Sequence, residues 1–140
     1  MSAPVFEWPI RVYWEDTDAG GIVFYANYLR FFERARTEWL RSLGLGQQAL
    51  CDEHGGMFVV ADVQIKYLKP ARLDDRLRAT VRLTEAGRAS LAVHQQVWQE
   101  GPDGTSTLLC EGQVRAGWVG HRSLKTMRIP AAVLQLVGAS

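Results

Sequence analysis

Hydrophobic positions recur along this chain first with a strand rhythm, then with a helical one, then again with a strand rhythm. Val5 to Trp14 reads as a strand. Pro9 interrupts it and places part of it at a sheet edge, because proline has no N–H for a ladder. From Asn27 the spacing changes. Tyr28, Phe32, Ala35, Trp39 and Leu43 recur at helical intervals, with Arg30, Arg34 and Arg41 on the opposite face. Asn27 is placed to cap this helix and Gly44 to stop it. Residues 45–56 read as a connection with a short helical turn. Met57 to Leu68 is strand-like and ends at Lys69-Pro70. Leu77, Ala79, Val81 and Leu83 then alternate with Arg76, Arg78, Thr80 and Arg82, a two-residue period with one wet face. Gly87-Arg88 signals a hairpin, after which Leu91, Val93 and Val97 keep the rhythm. Gly101-Pro102-Asp103-Gly104 is the strongest turn, and Thr107 to Val119 is the last strand. Pro130 opens a short helix through Val137, since proline is tolerated at the first helical position.

One strand, one long helix and about four hairpin-linked antiparallel strands make an α+β arrangement. The sheet is expected to wrap the helix, which accounts for the aromatics Tyr28, Phe31, Phe32 and Trp39 on it. Residues 1–140 read as a single domain, without repeats or a linker.

Composition narrows the function. The net charge is +1, with 47% hydrophobic and 22% charged residues, so no global field argues for nucleic acid or an anionic membrane. Cys51 and Cys110 are too few and too far apart for a disulfide framework or a zinc site. The start of the chain lacks the pattern of a signal peptide, and no apolar run approaches a membrane span. A cytoplasmic protein without a metal or redox cofactor is the expectation.

The chemistry concentrates between the first strand and the helix. Glu15, Asp16, Asp18, Gly20 and Gly21 form an acidic, glycine-containing loop that feeds the helix start. Unpaired N–H groups at a helix N-terminus hold negative charge, and a nearby carboxylate can act on an acyl group. On pattern alone Asp18 is either catalytic or a loop-shaping and capping residue. Asp16 would point to the same side in an extended loop and is assigned to bonding loop N–H groups.

The stretch from Tyr13 to Val23, with Asn27-Tyr28-Leu29, with Phe32-Glu33-Arg34-Ala35-Arg36-Thr37-Glu38 and with Tyr67 to Asp75, resembles the hotdog-fold acyl-CoA thioesterases. Within them the chain is similar to the 4-hydroxybenzoyl-CoA thioesterase superfamily and its YbgC-like, Tol-Pal-associated branch. The resemblance implies a hotdog fold, a long central helix wrapped by a curved antiparallel sheet of about five strands. It implies hydrolysis of acyl-CoA, or of an acyl carrier protein thioester, to free acid and thiol. Asp18 then acts as nucleophile or general base, and amides around Tyr25, Ala26 and Asn27 polarise the thioester carbonyl. Tyr25 stands where many YbgC-like members have histidine, which removes one proton shuttle. A homodimer or homotetramer with sites at the subunit interface follows from the same resemblance.

Other residues carry alternatives. Gly20 and Gly21 suit a plain turn, and that turn is expected to bring a backbone N–H to the thioester oxygen. Tyr25 either hydrogen-bonds near the thioester or packs at the helix entry. Glu33 has a supporting place at most, pairing with Arg30 or Arg36 at helical spacing. Lys66, Arg88 and Ser90 are candidates for the coenzyme A phosphates, and an acidic carrier protein suits the same basic surface. The rival to an enzyme is a non-catalytic acyl or carrier-protein binding module linked to envelope or phospholipid metabolism. A hotdog dehydratase, which needs a histidine and an acid facing one pocket, is a weaker third reading.

Overall fold

The structure is a computed structural model, and it describes residues 4–138. Strand β1 (Phe6–Arg11) is followed by a 3₁₀ turn at Trp14–Asp16, helix α1 (Asn27–Ser42) and helix α2 (Gln47–His54). Strands β2 (Gly56–Tyr67), β3 (Arg76–Ala86), β4 (Ser90–Glu100) and β5 (Ser106–Gly120) lead to helix α3 (Ala131–Gly138). The strands form one antiparallel five-stranded sheet in the order β1-β3-β4-β5-β2, so β1 and β2 are its edges.

Helix α1 buries Tyr28, Phe31, Phe32 and Ala35 against the sheet, in one cluster with Ile10, Leu77, Val81, Val97 and Val114. Each fully buried large side chain of this kind contributes about 2 kcal/mol. A second cluster gathers Leu40, Leu45, Leu50, Leu91, Trp118 and Ile129 with Val133 and Val137 of α3. Gly44 ends α1 at φ +80°, a conformation that costs other residues a Cβ clash, and the Leu45 amide turns back to the Leu40 carbonyl at 2.8 Å.

The structure corrects several expected details. The first strand stops at Arg11, because Tyr13 to Asp16 close a 3₁₀ turn instead of extending. Asn27 is not the cap: Ala26 occupies that position without a side-chain cap bond, and Asn27 is the first helical residue. The connection before β2 holds an eight-residue helix rather than a single turn. The wet face of β3 is incomplete, since Thr80 is buried and its Oγ1 accepts the Gln96 amide at 3.0 Å. Among the described residues no helix is long and apolar enough to cross a membrane.

Candidate active site

The acid loop is a compact unit held at both ends. Asp16, 3% exposed, accepts the Tyr13 amide on Oδ2 at 2.9 Å and the Asn27 Nδ2 on Oδ1 at 2.8 Å. Its carbonyl also accepts the Phe24 amide at 3.1 Å. One buried carboxylate thus ties the 3₁₀ turn to the first residue of α1. The loop is stitched to the chain before β3 by the Val23 amide on the Ala71 carbonyl at 2.9 Å and by an Ile22–Arg72 bridge.

Asp18 faces the other way. It is exposed, and Oδ1 accepts the Gly20 amide at 2.8 Å. Among the described residues Asp18 forms no other side-chain hydrogen bond and no ion pair, so Oδ2 is open to a substrate or water. The two acids therefore do not share a side, contrary to the extended-loop expectation; the 3₁₀ turn rotates Asp16 inward.

The glycines act within the loop rather than on a ligand. The Gly20 amide is held by Asp18 Oδ1, and the Gly21 amide donates to the Asp18 carbonyl at 3.0 Å. Neither is available to a thioester oxygen, which corrects the expected glycine donor. Gly21 takes φ +78°, so glycine is required there for the turn. A Cβ at Gly20 would come within 3.2 Å of Asp18 Oδ1, so glycine there leaves the carboxylate room.

The available donors lie at the helix start. The Asn27 amide donates to the Phe24 carbonyl at 2.8 Å, which removes it from the expected set. Among the described residues the amides of Tyr25 and Ala26 have no acceptor. They stand at the positive end of α1, where an oxyanion is favoured. The Tyr25 ring remains 63% exposed, with its centroid 4.9 Å from Phe24 and 6.0 Å from Tyr67. Ile22, Val23, Tyr25, Tyr28, Tyr67 and Lys69 are among the residues that line a cleft of about 330 Å³ there. The Tyr28 hydroxyl accepts the Ala71 amide at 3.0 Å, and burial raises its pKa, as it raises that of Tyr67.

The remaining candidates lie elsewhere. Lys66 lines a cleft with His94, Glu111 and Gln113 on the sheet face away from α1, while its neighbour Tyr67 faces Tyr28. Glu33 is exposed, midway along α1. Ser90 Oγ accepts Arg115 Nη1 at 2.9 Å, and the Arg88 carbonyl accepts the Ile129 amide at 2.7 Å. Both belong to the end of the sheet opposite the acid loop, about 35 Å away along an eleven-residue strand. Cys110 is buried, which pushes its thiol up to about 12 and leaves it inert at neutral pH. Sequence reasoning missed Tyr67 as a wall of the cleft and Gln95 as a buried polar residue beneath α1. Gln95 did leave a signal: it occupies the inward register of Leu91, Val93 and Val97.

One antiparallel sheet packed on a long helix, with an acid loop feeding that helix, defines a hotdog-fold domain with a hydrolase-type site. The chain belongs to the thioesterase superfamily, whose family model matches residues 20–106. It is 40% identical over 134 residues to the acyl-CoA thioester hydrolase YbgC of Escherichia coli O6:H1, covering 96% of each chain. It is 39% identical over 128 residues to the acyl-CoA thioesterase YbgC of Haemophilus influenzae, covering 91% of this chain and 90% of that one. Among solved structures, 4-hydroxybenzoyl-CoA thioesterase from Pseudomonas sp. strain CBS-3 superposes with a TM-score of 0.86. At 22% identity, covering 96% of this chain and 99% of that one, that likeness is one of fold.

Proposed function

We propose that this protein is an acyl-CoA thioesterase, a single domain over residues 1–140, with Asp18 as its catalytic carboxylate. One observation carries the reading. Asp18 has an oxygen open to the outside, on the loop that leads into the unpaired amides of Tyr25 and Ala26. The relatives named as acyl-CoA thioester hydrolases supply the substrate class.

The thioester carbonyl accepts the two helix-start amides, which hold the charge that develops on oxygen as the carbonyl is attacked. Asp18 either removes a proton from the attacking water or attacks the acyl carbon to give a mixed anhydride that water then opens. In both routes the C–S bond breaks, the thiolate of coenzyme A leaves and takes a proton, and the acid is released. Tyr25 contributes its amide and a ring wall rather than a proton shuttle.

The basic end of the sheet joins the site through a second copy. Antiparallel pairing of two β2 edges puts the start of one strand beside the end of the other. Arg88 and Ser90 of one protomer then approach the acid loop of its partner, where they serve the phosphates of coenzyme A or an acidic carrier protein. Supporting this, β2 is a free twelve-residue edge with Val59 and Val60 each 42% exposed.

Thiol release from short, long and aromatic acyl-CoAs, wild type beside Asp18→Asn, tests the assignment. The variant is expected to keep its assembly and to lose about 100-fold or more in kcat. An unchanged rate overturns the role of Asp18. Binding of acyl carrier protein with no turnover of any thioester favours the binding-module alternative.

A further inference from the structure

A cavity of about 200 Å³ lies between α1 and strands β2, β4 and β5. Its sheet wall is apolar, with Phe58, Val60, Val93 and Val114, and its helix wall carries Glu33, Arg36 and Thr37 beside Trp39 and Leu40. The cavity and the active-site cleft both lie along α1 and β2 and share no lining residue. Tyr67 and Tyr25 line the cleft at one end of the α1–β2 groove, and Val60 and Thr37 line the cavity further along it. From Ala26 to Glu33 the helix rises about 10 Å.

Arg36 is held in this cavity by a built support. Gln95 is 0% exposed, and its Nε2 donates to the carbonyls of Phe32 at 3.0 Å and Thr80 at 3.2 Å. Those bonds fix the amide so that its Oε1 accepts Arg36 Nη1 at 3.0 Å. That is the only hydrogen bond of Arg36 among the described residues, and no carboxylate lies within ion-pair distance of it. A guanidinium offers five N–H donors in a planar fork that matches a carboxylate. Burial lowers the pKa of Arg36, partly offset by the charge of Glu33. A positioned, partly desolvated cation with no carboxylate in direct contact is costly unless a ligand supplies one.

We propose that this cavity is an acyl subsite in which Arg36 binds the terminal carboxylate of an ω-carboxyacyl group, making the substrate the monothioester of a dicarboxylic acid. The acyl chain runs along α1 from the Tyr25 and Ala26 amides, and its carboxylate meets the free edge of the guanidinium. Glu33, at the same cavity, opposes a second negative charge and limits the affinity. The inference rests on thioester hydrolysis at Asp18 as proposed above.

The test compares kcat/KM for adipoyl-CoA and hexanoyl-CoA, which match in chain length and differ in the terminal group. Wild type is expected to favour adipoyl-CoA by about tenfold or more. Arg36→Gln is expected to collapse that ratio, and Glu33→Gln to widen it. Opposite shifts from two neighbouring residues are the mark of charge rather than of packing. Equal turnover of both substrates by wild type, or a preference that survives in Arg36→Gln, overturns the subsite. Where circular dichroism shows Arg36→Gln unfolded, a ratio that does not rise in Glu33→Gln overturns it. No turnover of any acyl-CoA by wild type fails the hydrolase reading first and this proposal with it.

Discussion

Asp16 and Asp18 stand two residues apart and have opposite environments. Asp16 is inside, with both oxygens bonded, and Asp18 is outside, with one oxygen open. The division follows from the 3₁₀ turn, which ends at Asp16 and interrupts the extended run that would put both acids on one side. Asn27 is the partner that holds Asp16 in place. Asn27→Ala leaves a buried carboxylate oxygen without its donor, at a cost of about 1–3 kcal/mol. The expected result is a fall in melting temperature of about 3–10 °C, measured by thermal unfolding. The same variant is expected to lower kcat with little change in KM, because the loop that carries Asp18 loses its anchor to α1. A melting temperature equal to wild type shows that Asp16 finds another donor. At this scale the sequence was legible for residue type and not for direction. The acids and glycines of the loop marked a site, but which amide faces inward depends on hydrogen bonds to Ile22, Ala71 and Phe24 that close only in the folded loop.

At the scale of elements, the start of β2 and the end of β5 fit together through one glycine. Trp118 is 0% exposed, and a Cβ placed at Gly56 would lie 2.4 Å from its ring. The two residues are on the strands that pair in register, with Phe58 opposite Trp118. The indole edge fills the space a side chain at position 56 would need, so Gly56→Ala overpacks the second core cluster. The expected destabilisation is about 1–3 kcal/mol, read as a lower midpoint in urea with an unchanged slope. An unchanged midpoint means that the ring shifts without cost. The element boundaries were legible where a rhythm or a breaker marks them: Gly44, Gly101 to Gly104 and Pro130 all fall where elements end or begin. They were not legible before β2, where α2 has little periodic pattern and is held mainly by Leu50 in the second cluster.

For the molecule as a whole, strand order decides what can reach the acid loop. The free β2 edge and Arg88 on the hairpin at residues 87–89 are useful to the site only if a second copy pairs along β2. Val59→Lys puts a charge on that edge, a device that blocks edge pairing. The expected outcome is a halved mass by light scattering, with activity that falls as protein concentration falls. Full activity in a monomeric variant overturns the shared-site arrangement.

The sequence by itself determined the helix, the strands that alternate, the acid loop and the family to which they belong. These depend on local spacing and residue type, which a chain displays whether or not it is folded. Tertiary structure alone decided that the glycine amides are used inside the loop and that Tyr25 and Ala26 supply the open donors. It alone brought Tyr67 to Tyr25 and set Gln95 beneath Arg36, across 59 residues of chain. Those relations join distant segments, and no local pattern records which distant group a side chain will meet once the sheet closes on the helix.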